Sequence, residues 1–275
     1  MSLIYSFKEF ESQVGQEFLQ QGYTVQQCEN QEGLLKFREK IAEWLCEKVN
    51  LPFPQNLETS WFDQVHKHVE QRQINEPRMH CYTRLNSESW ALPTYFSFAR
   101  KVIEEVLGNE LVMQNRINVN VMMPGDAGSN IPLHIDIHSG ESPFQCVLWI
   151  PMTDAHDTKG VFLLPPDANR NALGHFRDWM KMGGRERVMQ EVQKDLVWPE
   201  VPFGSILLFS PTLLHGSVVN ETNETRWSFN TRFKSLFSPY GSQEKGLGSF
   251  YLPIRTAPAT HFGLHYQAPV GFEES

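Results

Sequence analysis

Strict alternation of side-chain character marks the stretch Thr225-Arg226-Trp227-Ser228-Phe229-Asn230-Thr231-Arg232-Phe233-Lys234. Successive side chains of a β-strand point to opposite faces, so the alternation predicts one long strand over residues 225–234. One face carries three aromatic residues, and the other carries Arg226, Ser228, Asn230 and Arg232. A row of polar side chains that includes two arginines does not suit a dry core, so we expect this face to line a cavity.

Shorter stretches with strand character precede this one. Residues 116–121 alternate polar and apolar side chains, and residues 131–138 alternate again. Compact apolar runs predict three further strands, at 144–150, 161–164 and 204–209.

Helical periodicity dominates the first hundred residues, apart from a short strand expected at 22–25. It returns over 171–196, where we expect a helical insertion. Helices followed by many short strands predict an α+β chain built round a β-barrel or sandwich. The expected organisation is a single domain, 1–275, with helical support at 1–110, a barrel at 111–240 that contains the insertion, and a C-terminal extension at 241–275.

The composition restricts the kinds of partner. The net charge is −8 and no run of lysine or arginine occurs, which argues against nucleic acid or an anionic membrane surface. A small anionic substrate stays compatible with this charge, because it needs only a local basic pocket.

No apolar run approaches the roughly 18 residues of a membrane-spanning helix, so no membrane insertion is expected. The first eleven residues lack the pattern of a secretory signal and the four cysteines are widely separated, so we expect reduced thiols and a cytoplasmic location.

Two histidines and a carboxylate form the strongest candidate metal site. His134 and Asp136 are two positions apart on a predicted strand, so both side chains point the same way. His215 supplies a third ligand from far downstream. Two histidines and one carboxylate on one face of an octahedral metal leave the opposite face open, which is the geometry of non-haem Fe(II) oxygenases. We therefore predict that these three residues hold Fe(II) and act in catalysis.

Arg226 and Ser228 are predicted to hold a second reactant beside the metal. Arg226 follows His215 by eleven positions, which places it deeper in the barrel than the metal. An arginine fork can bind a carboxylate through two hydrogen bonds, so Arg226 suits the far carboxylate of 2-oxoglutarate while the near end chelates iron. Ser228 is expected to donate a hydrogen bond to the same carboxylate.

Four further polar residues are candidate ligand contacts. Asn118 and Asn120 face the same way on their predicted strand. We expect them to contact the co-substrate or the substrate, with a buried polar network as the alternative. Gln145 and Arg232 are candidate contacts to the substrate.

The motifs together resemble a known family. They are Pro132-Leu133-His134-Ile135-Asp136-Ile137-His138-Ser139-Gly140-Glu141-Ser142-Pro143, Trp149-Ile150-Pro151, Leu214-His215-Gly216, Asn220-Glu221-Thr222 and the strand at 225–234. This set is similar to that of the Fe(II)/2-oxoglutarate oxygenases, in the phytanoyl-CoA dioxygenase-like branch. The resemblance covers about residues 110–240 and extends to bacterial enzymes of carbohydrate-biosynthesis clusters, such as the streptomycin-cluster hydroxylases.

The resemblance implies a fold and a reaction. The fold would be a double-stranded β-helix, a jelly-roll barrel of the cupin type, with N-terminal helices and a helical insertion. The enzyme would use Fe(II), 2-oxoglutarate and O2 to hydroxylate a small molecule such as a sugar, a sugar conjugate or a nucleotide-sugar. Related halogenases lack the carboxylate ligand, so Asp136 favours hydroxylation over halogenation. A homo-oligomer is compatible with the sequence.

Other functions are compatible with the same barrel. A cupin-like metal-dependent sugar isomerase or epimerase would use the same three metal ligands. Such an enzyme has no need of residues that bind an oxoacid, the role expected for Arg226 and Ser228. An inactive ligand-binding barrel would not need an intact set of metal ligands. The sequence therefore favours the oxygenase.

Overall fold

The structure, a computed structural model, describes residues 12–271, so the first eleven residues considered above lie outside it. The helices are α1 (Gln13–Gln21), α2 (Gln31–Val49), α3 (Thr59–Asp63), α4 (Asn75–Ser87), α5 (Ala91–Ser97), α6 (Arg100–Leu107), α7 (Pro166–Val192) and α8 (Pro258–Leu264). The strands are β1 (Tyr23–Gln27), β2 (Leu111–Gln114), β3 (Asn118–Met122), β4 (Gln145–Pro151), β5 (Phe162–Leu163), β6 (Ser205–Phe209), β7 (His215–Gly216), β8 (Arg226–Ser235) and β9 (Tyr251–Arg255). This order confirms the predicted change from helices to strands.

Seven strands form a large antiparallel sheet in which β8 is the central element. β8 pairs with β4 along one edge, and with β3 and then β2 along the other. The sheet continues beyond β4 with β6 and β1, and beyond β2 with β9. The strand predicted over 225–234 is therefore confirmed, and its ten residues connect both halves of the sheet.

The alternation along β8 separates a hydrophobic core from a cavity, as predicted. Trp227, Phe229 and Phe233 are fully buried in the main core, which fills the space between the sheet and helices α2 to α6. The ring of Phe37 on α2 meets Phe229 edge-on, with the ring centroids 5.2 Å apart. Burying one such aromatic side chain contributes about 1.5–3 kcal/mol, so these contacts hold the helical layer against β8.

A smaller sheet lies across the cavity from the polar face of β8. β5 and β7 pair antiparallel with Leu163 opposite His215, and an isolated bridge adds His134 beside His215. Gly216 makes this approach possible, because a Cβ at that position would lie 2.6 Å from Ile131 O. Two sheets that face each other across a cavity form the expected double-stranded β-helix.

The helical insertion begins earlier than the sequence pattern predicted. α7 spans Pro166–Val192 rather than 171–196, because Pro166 occupies the first helical turn, where its missing N–H leaves no hydrogen bond unmade. The helix is interrupted at Gly183 and at Gly184, whose φ is +65°. A hydrophobic cluster joins it to the smaller sheet through Ala172, Val188 and Val192 on one side and Leu133, Ile135 and Leu214 on the other. The insertion therefore packs directly behind the segment that carries His134.

The segment expected as a C-terminal extension contributes to the sheet. Its strand β9 pairs antiparallel with β2, at the edge of the large sheet. Tyr251 at the start of β9 is 1% exposed and its hydroxyl enters a buried polar network. Within residues 12–271, no helix is long and apolar enough to cross a membrane.

Candidate active site

His134 and Asp136 reach the cavity by a local path that differs from the predicted strand over 131–138. His134 forms an isolated β-bridge to β7, Ile135 is extended with φ −131° and ψ 128°, and a 3-10 helix follows over Asp136–Ser139. The single extended residue is enough to turn the two side chains to the same side. The predicted strand over 131–138 was wrong, since its range contains only an isolated bridge at His134, but the two side chains do lie on the same side as expected.

Donor atoms of His134, Asp136 and His215 lie within 4.8 Å of one another. Asp136 Oδ1 is 3.5 Å from His134 Nε2 and 3.9 Å from His215 Nε2. The other ring nitrogens face backbone carbonyls, with His134 Nδ1 at 2.9 Å from Pro132 O and His215 Nδ1 at 2.8 Å from Leu213 O. A carbonyl oxygen only accepts, so each Nδ1 carries its proton and each Nε2 lone pair faces the carboxylate. This donor set fits a divalent transition metal.

Burial and local charge set the protonation states that metal binding requires. Burial lowers the pKa of His215 to about 4, against the opposing attraction of Asp136, so its imidazole is neutral near pH 7. Burial alone would raise the pKa of Asp136, but its close neighbours His134 and His215 and the charge and hydrogen bonds of Arg232 hold that pKa well below its usual range. A neutral imidazole and an ionised carboxylate are the forms that bind metals.

Arg226 is enclosed and has no carboxylate partner among the described residues. The residue is 1% exposed. Its Nη1 donates to Lys159 O at 3.1 Å and to Gly160 O at 2.6 Å. Arg226 Nε has no hydrogen-bond partner in the described part of the chain, and neither has the buried Ser228 Oγ. Desolvation lowers the pKa of Arg226 to about 9. Unpaired buried polar atoms are costly, so the unused Nε of Arg226, a residue that lines the cavity, suits an anionic ligand. Ser228 is fully buried and is not among the residues that line the cavity, so its contact with a ligand stays a prediction.

Arg232, predicted as a substrate contact, lines the cavity but is bonded to Asp136. Its Nε and Nη2 donate to Asp136 Oδ2 at 3.1 Å and 2.8 Å, and its Nη1 lies 3.3 Å from Gln114 Oε1. Both strong hydrogen bonds use one carboxylate oxygen, so the other oxygen, Oδ1, stays turned towards the two histidines. Arg232 is therefore placed to orient the carboxylate.

Gln145, the other predicted substrate contact, does not line the cavity. Its Nε2 donates to Glu141 Oε2 at 3.1 Å, and its Oε1 accepts from the hydroxyl of Tyr251 at 2.9 Å. Glu141 also accepts from Lys245 Nζ at 2.5 Å and lies 3.8 Å from Arg232 Nε. The sequence pattern showed the polarity of Gln145, but it could not show that the C-terminal segment supplies partners for it.

The three candidate ligands share a cavity of about 420 Å³ with Asn118, Asn120 and Asn230. Asn118 Nδ2 donates to Asn230 Oδ1 at 2.9 Å. The side chain of Asn120 makes no hydrogen bond to another described residue, so its amide stays available. The structure thus brings both predicted asparagines to the cavity, and their contacts to a ligand stay a prediction.

Sequence reasoning missed two parts of the cavity wall. Trp149, which an apolar strand pattern assigns to the core, lies under the guanidinium of Arg226, with 5.6 Å between Cζ and the ring centroid. Helix α4 contributes Arg78, Met79 and Tyr82. The apolar residues of α4 show almost no helical periodicity, so the sequence gives no signal for the face that it turns to the cavity.

Solved structures share this architecture at low sequence identity. HygX from Streptomyces hygroscopicus, with nickel and 2-oxoglutarate bound, has a TM-score of 0.53 and 13% identity over 83% of this chain and 89% of that one. EctD from S. alaskensis, with bound Fe, has a TM-score of 0.52 and 15% identity over 86% and 81%. AviO1 from Streptomyces viridochromogenes Tue57 has a TM-score of 0.52 and 16% identity over 83% and 96%. A comparison with curated proteins finds no match.

A family model matches most of the chain. The model for phytanoyl-CoA dioxygenase (PhyH) matches residues 20–228, about three quarters of the 275 residues. The matched region runs from β1 to the start of β8 and therefore contains the three candidate metal ligands and both Arg226 and Ser228. The chain belongs to the phytanoyl-CoA dioxygenase (PhyH) family, as an enzyme of the non-haem iron- and 2-oxoglutarate-dependent oxygenase class.

Proposed function

We propose that this oxygenase hydroxylates a small polar molecule, such as a sugar or sugar conjugate in carbohydrate biosynthesis. In this proposal His134, Asp136 and His215 hold Fe(II), and Arg226 and Ser228 hold the far carboxylate of 2-oxoglutarate. The observation that carries the proposal is the buried guanidinium of Arg226, whose Nε has no partner among the described residues, in the same cavity as the three candidate metal ligands. A dicarboxylate that reaches from the metal to Arg226 would satisfy both ends of this cavity.

The residues of the chain have separate tasks in this reaction. Iron(II), when bound with 2-oxoglutarate and O2, supplies the oxidising power for attack on a C–H bond. The Nδ1 hydrogen bonds of the two histidines hold the rings in an orientation that leaves Nε2 for the metal, and Arg232 turns Asp136 Oδ1 towards it. Three protein ligands on one side leave the remaining positions for the oxoacid and O2.

The polar wall of the cavity supports a hydroxyl-rich substrate. Asn118, Asn120 and Asn230 present carboxamides with unused donors and acceptors beside the three metal-binding donors. Carboxamides both donate and accept hydrogen bonds, which suits hydroxyl groups that do the same. A long aliphatic substrate would leave these groups unpaired, at a cost of about 1–3 kcal/mol for each buried amide.

The test is an anaerobic titration of metal-free protein with Fe(II) and then with 2-oxoglutarate, followed by visible absorption. Chelation of the ferrous ion by 2-oxoglutarate gives a charge-transfer band, which we expect in the wild type and not in His215→Ala. The matched control is His68→Ala, which removes an exposed histidine outside the cavity. Fe(II) binding should be measured separately by equilibrium dialysis.

Two results would overturn the proposal. One is iron that binds to the wild type without the chelate band on addition of 2-oxoglutarate. The other is a band that persists unchanged in His215→Ala. A band lost equally in His68→Ala would show that the loss reflects general damage to the protein, so His215 would have no special role.

A further inference from the structure

Arg78 on α4 is a positively charged residue in the cavity wall. The oxygenase reaction, as proposed above, gives it no anionic partner. Its Nη1 donates to Val119 O at 3.0 Å, and its Nε and Nη2 donate to Asn75 Oδ1 at 3.1 Å and 2.7 Å. Nη2 also lies 3.2 Å from Met79 Sδ. All these partners are neutral, so they fix the guanidinium beside β3 and leave its charge uncompensated.

The charges of the cavity wall can be assigned one by one. Within residues 12–271 the lining contains three arginines, Arg78, Arg226 and Arg232, and one carboxylate, Asp136. Arg232 is paired with Asp136 through two hydrogen bonds. Arg226 is the proposed partner of 2-oxoglutarate. Arg78 is therefore the arginine of this wall that has neither a carboxylate nor the co-substrate.

A second cavity adjoins the first one at Arg78. It measures about 450 Å³, and Arg78 and Asn120 line both spaces. Its own carboxylate, Asp126, has Oδ1 bonded to Gln71 Nε2 at 2.7 Å and to Gly128 N at 2.9 Å. Asp126 in the wall of this second space would repel an anion, so the favourable position for negative charge is at the junction, beside Arg78.

We propose, on the basis of the function proposed above, that the substrate carries an anionic group that Arg78 binds at the junction of the two cavities. The oxidised part of the substrate lies in the first cavity, against the three asparagines. The rest of the molecule extends into the second cavity, which has polar walls. A carboxylate and a phosphoryl group share this chemistry, because both are anions whose oxygens accept charge-assisted hydrogen bonds from a guanidinium.

Turnover with matched sugar pairs tests the proposal in the iron-loaded enzyme. The probes are glucose, glucuronate and glucose 6-phosphate at equal concentrations, and the readout is succinate formed from 2-oxoglutarate. We expect at least one anionic member to stimulate turnover roughly tenfold more than glucose, since one charge-assisted pair is worth about a factor of ten or more. Stronger stimulation by glucuronate would indicate a carboxylate on the substrate, and stronger stimulation by glucose 6-phosphate a phosphoryl group.

Variants on one helix separate recognition from general damage. Arg78→Gln should lose the preference for anionic probes, and Arg78→Lys should keep part of it. The matched control is Arg84→Gln, also on α4, whose guanidinium lies 3.7 Å from Glu47 outside the cavity. Arg84→Gln should behave as the wild type. Equal stimulation by neutral and anionic probes, or no stimulation by either, would overturn the proposal.

A second readout does not depend on iron. Phenylglyoxal modifies accessible arginines, and peptide mass spectrometry gives the rate at each one. We expect the anionic probes to slow modification of Arg78 but not of Arg84, and glucose to slow neither. If the chelate band were absent and the anionic probes slowed modification of Arg78, the proposed oxygenase function would be wrong and anion binding at Arg78 would be supported. If the band formed and no probe protected Arg78, the anion proposal alone would fail.

Discussion

Replacement of Arg226 tests the part of the site on which the assignment of 2-oxoglutarate depends. Both hydrogen bonds of its guanidinium are made by Nη1, to Lys159 O and Gly160 O. The edge formed by Nε and Nη2 donates to no described residue. That edge has the fork geometry that pairs with a carboxylate through two parallel hydrogen bonds. Arg226→Met removes the fork and the charge, whereas Arg226→Lys keeps the charge and loses the fork.

The expected magnitude follows from the burial of this guanidinium. Each hydrogen bond to a charged group is worth about 1.5–3 kcal/mol, and breaking a buried pair by removal of one partner costs about 3–5 kcal/mol. Since about 1.4 kcal/mol corresponds to a factor of ten, Arg226→Met should raise the Kd of 2-oxoglutarate roughly 100- to 4000-fold. Arg226→Lys can make one direct bond, so its Kd should rise roughly 10- to 100-fold.

The assay is anaerobic titration of the Fe(II)-loaded variants with 2-oxoglutarate, with Fe(II) affinity measured beforehand. Fe(II) affinity should change little, because Arg226 is not among the three metal-binding donors. The matched control is Arg116→Met, which removes an exposed arginine that lies over the ring of Phe250. A Kd in Arg226→Met within about threefold of the wild type, with Arg116→Met equally unaffected, would refute the reasoning, since that is under 1 kcal/mol.

Three further perturbations follow from the same contacts. Arg232→Met should lower metal affinity about 10- to 100-fold, because loss of the partner that orients a ligand carboxylate typically costs that much. Calorimetric titration with Ni(II) measures the affinity. Lys159→Met should raise the KM for 2-oxoglutarate more than it lowers kcat, because Lys159 Nζ fixes the turn whose carbonyls hold Arg226. Metal at about 100 times its Kd should raise the Tm by about 5 °C in the wild type, and by much less in Asp136→Ala.

Each of these has a control and a contrary result. For Arg232 the control is Arg232→Lys, which should retain part of the affinity, and unchanged Ni(II) affinity in Arg232→Met would exclude an orienting role. For Lys159 the control is Lys245→Met, remote from the turn, and equal losses of kcat and of kcat/KM would point to general damage. For the metal, an equal rise of Tm in wild type and Asp136→Ala would place the ion elsewhere.

Periodicity predicted the parts of the site that one strand determines. Alternation along β8 placed Arg226 and Arg232 on one face and Trp227 and Phe229 on the other, and the structure confirms this division. Strand geometry has a fixed period of two, so a long uninterrupted strand leaves no choice of face. The same period holds for Asn118 and Asn120, which both reach the cavity.

Periodicity did not predict the parts of the site that depend on contacts between distant segments. The strand predicted over 131–138 does not form: the range holds one isolated bridge at His134 and a 3-10 helix from Asp136, with the insertion packed behind it. The contribution of α4 depends on where that helix lies against β3, and no pattern within α4 reports it. Gln145 has the polarity of a ligand contact, but Glu141 and Tyr251 already satisfy its amide. Local pattern gives the direction of a side chain, and only tertiary packing supplies its partners.

The arginines of the cavity show what this difference means for function. In the sequence, Arg226 and Arg232 look equivalent, since they lie on the same face of one strand. In the structure, Arg232 is neutralised by Asp136, whereas Arg226 and Arg78 have only neutral partners among the described residues. A buried cation without a counter-ion is unfavourable for the folded protein alone, so the enclosed Arg226 indicates a ligand that supplies the missing charge. Arg78 is only partly buried, and its place in the wall of both cavities suits it to a ligand contact. The place of the carboxylate therefore distinguishes the arginine that orients a candidate metal ligand from the two arginines to which we assign the negative groups of two reactants.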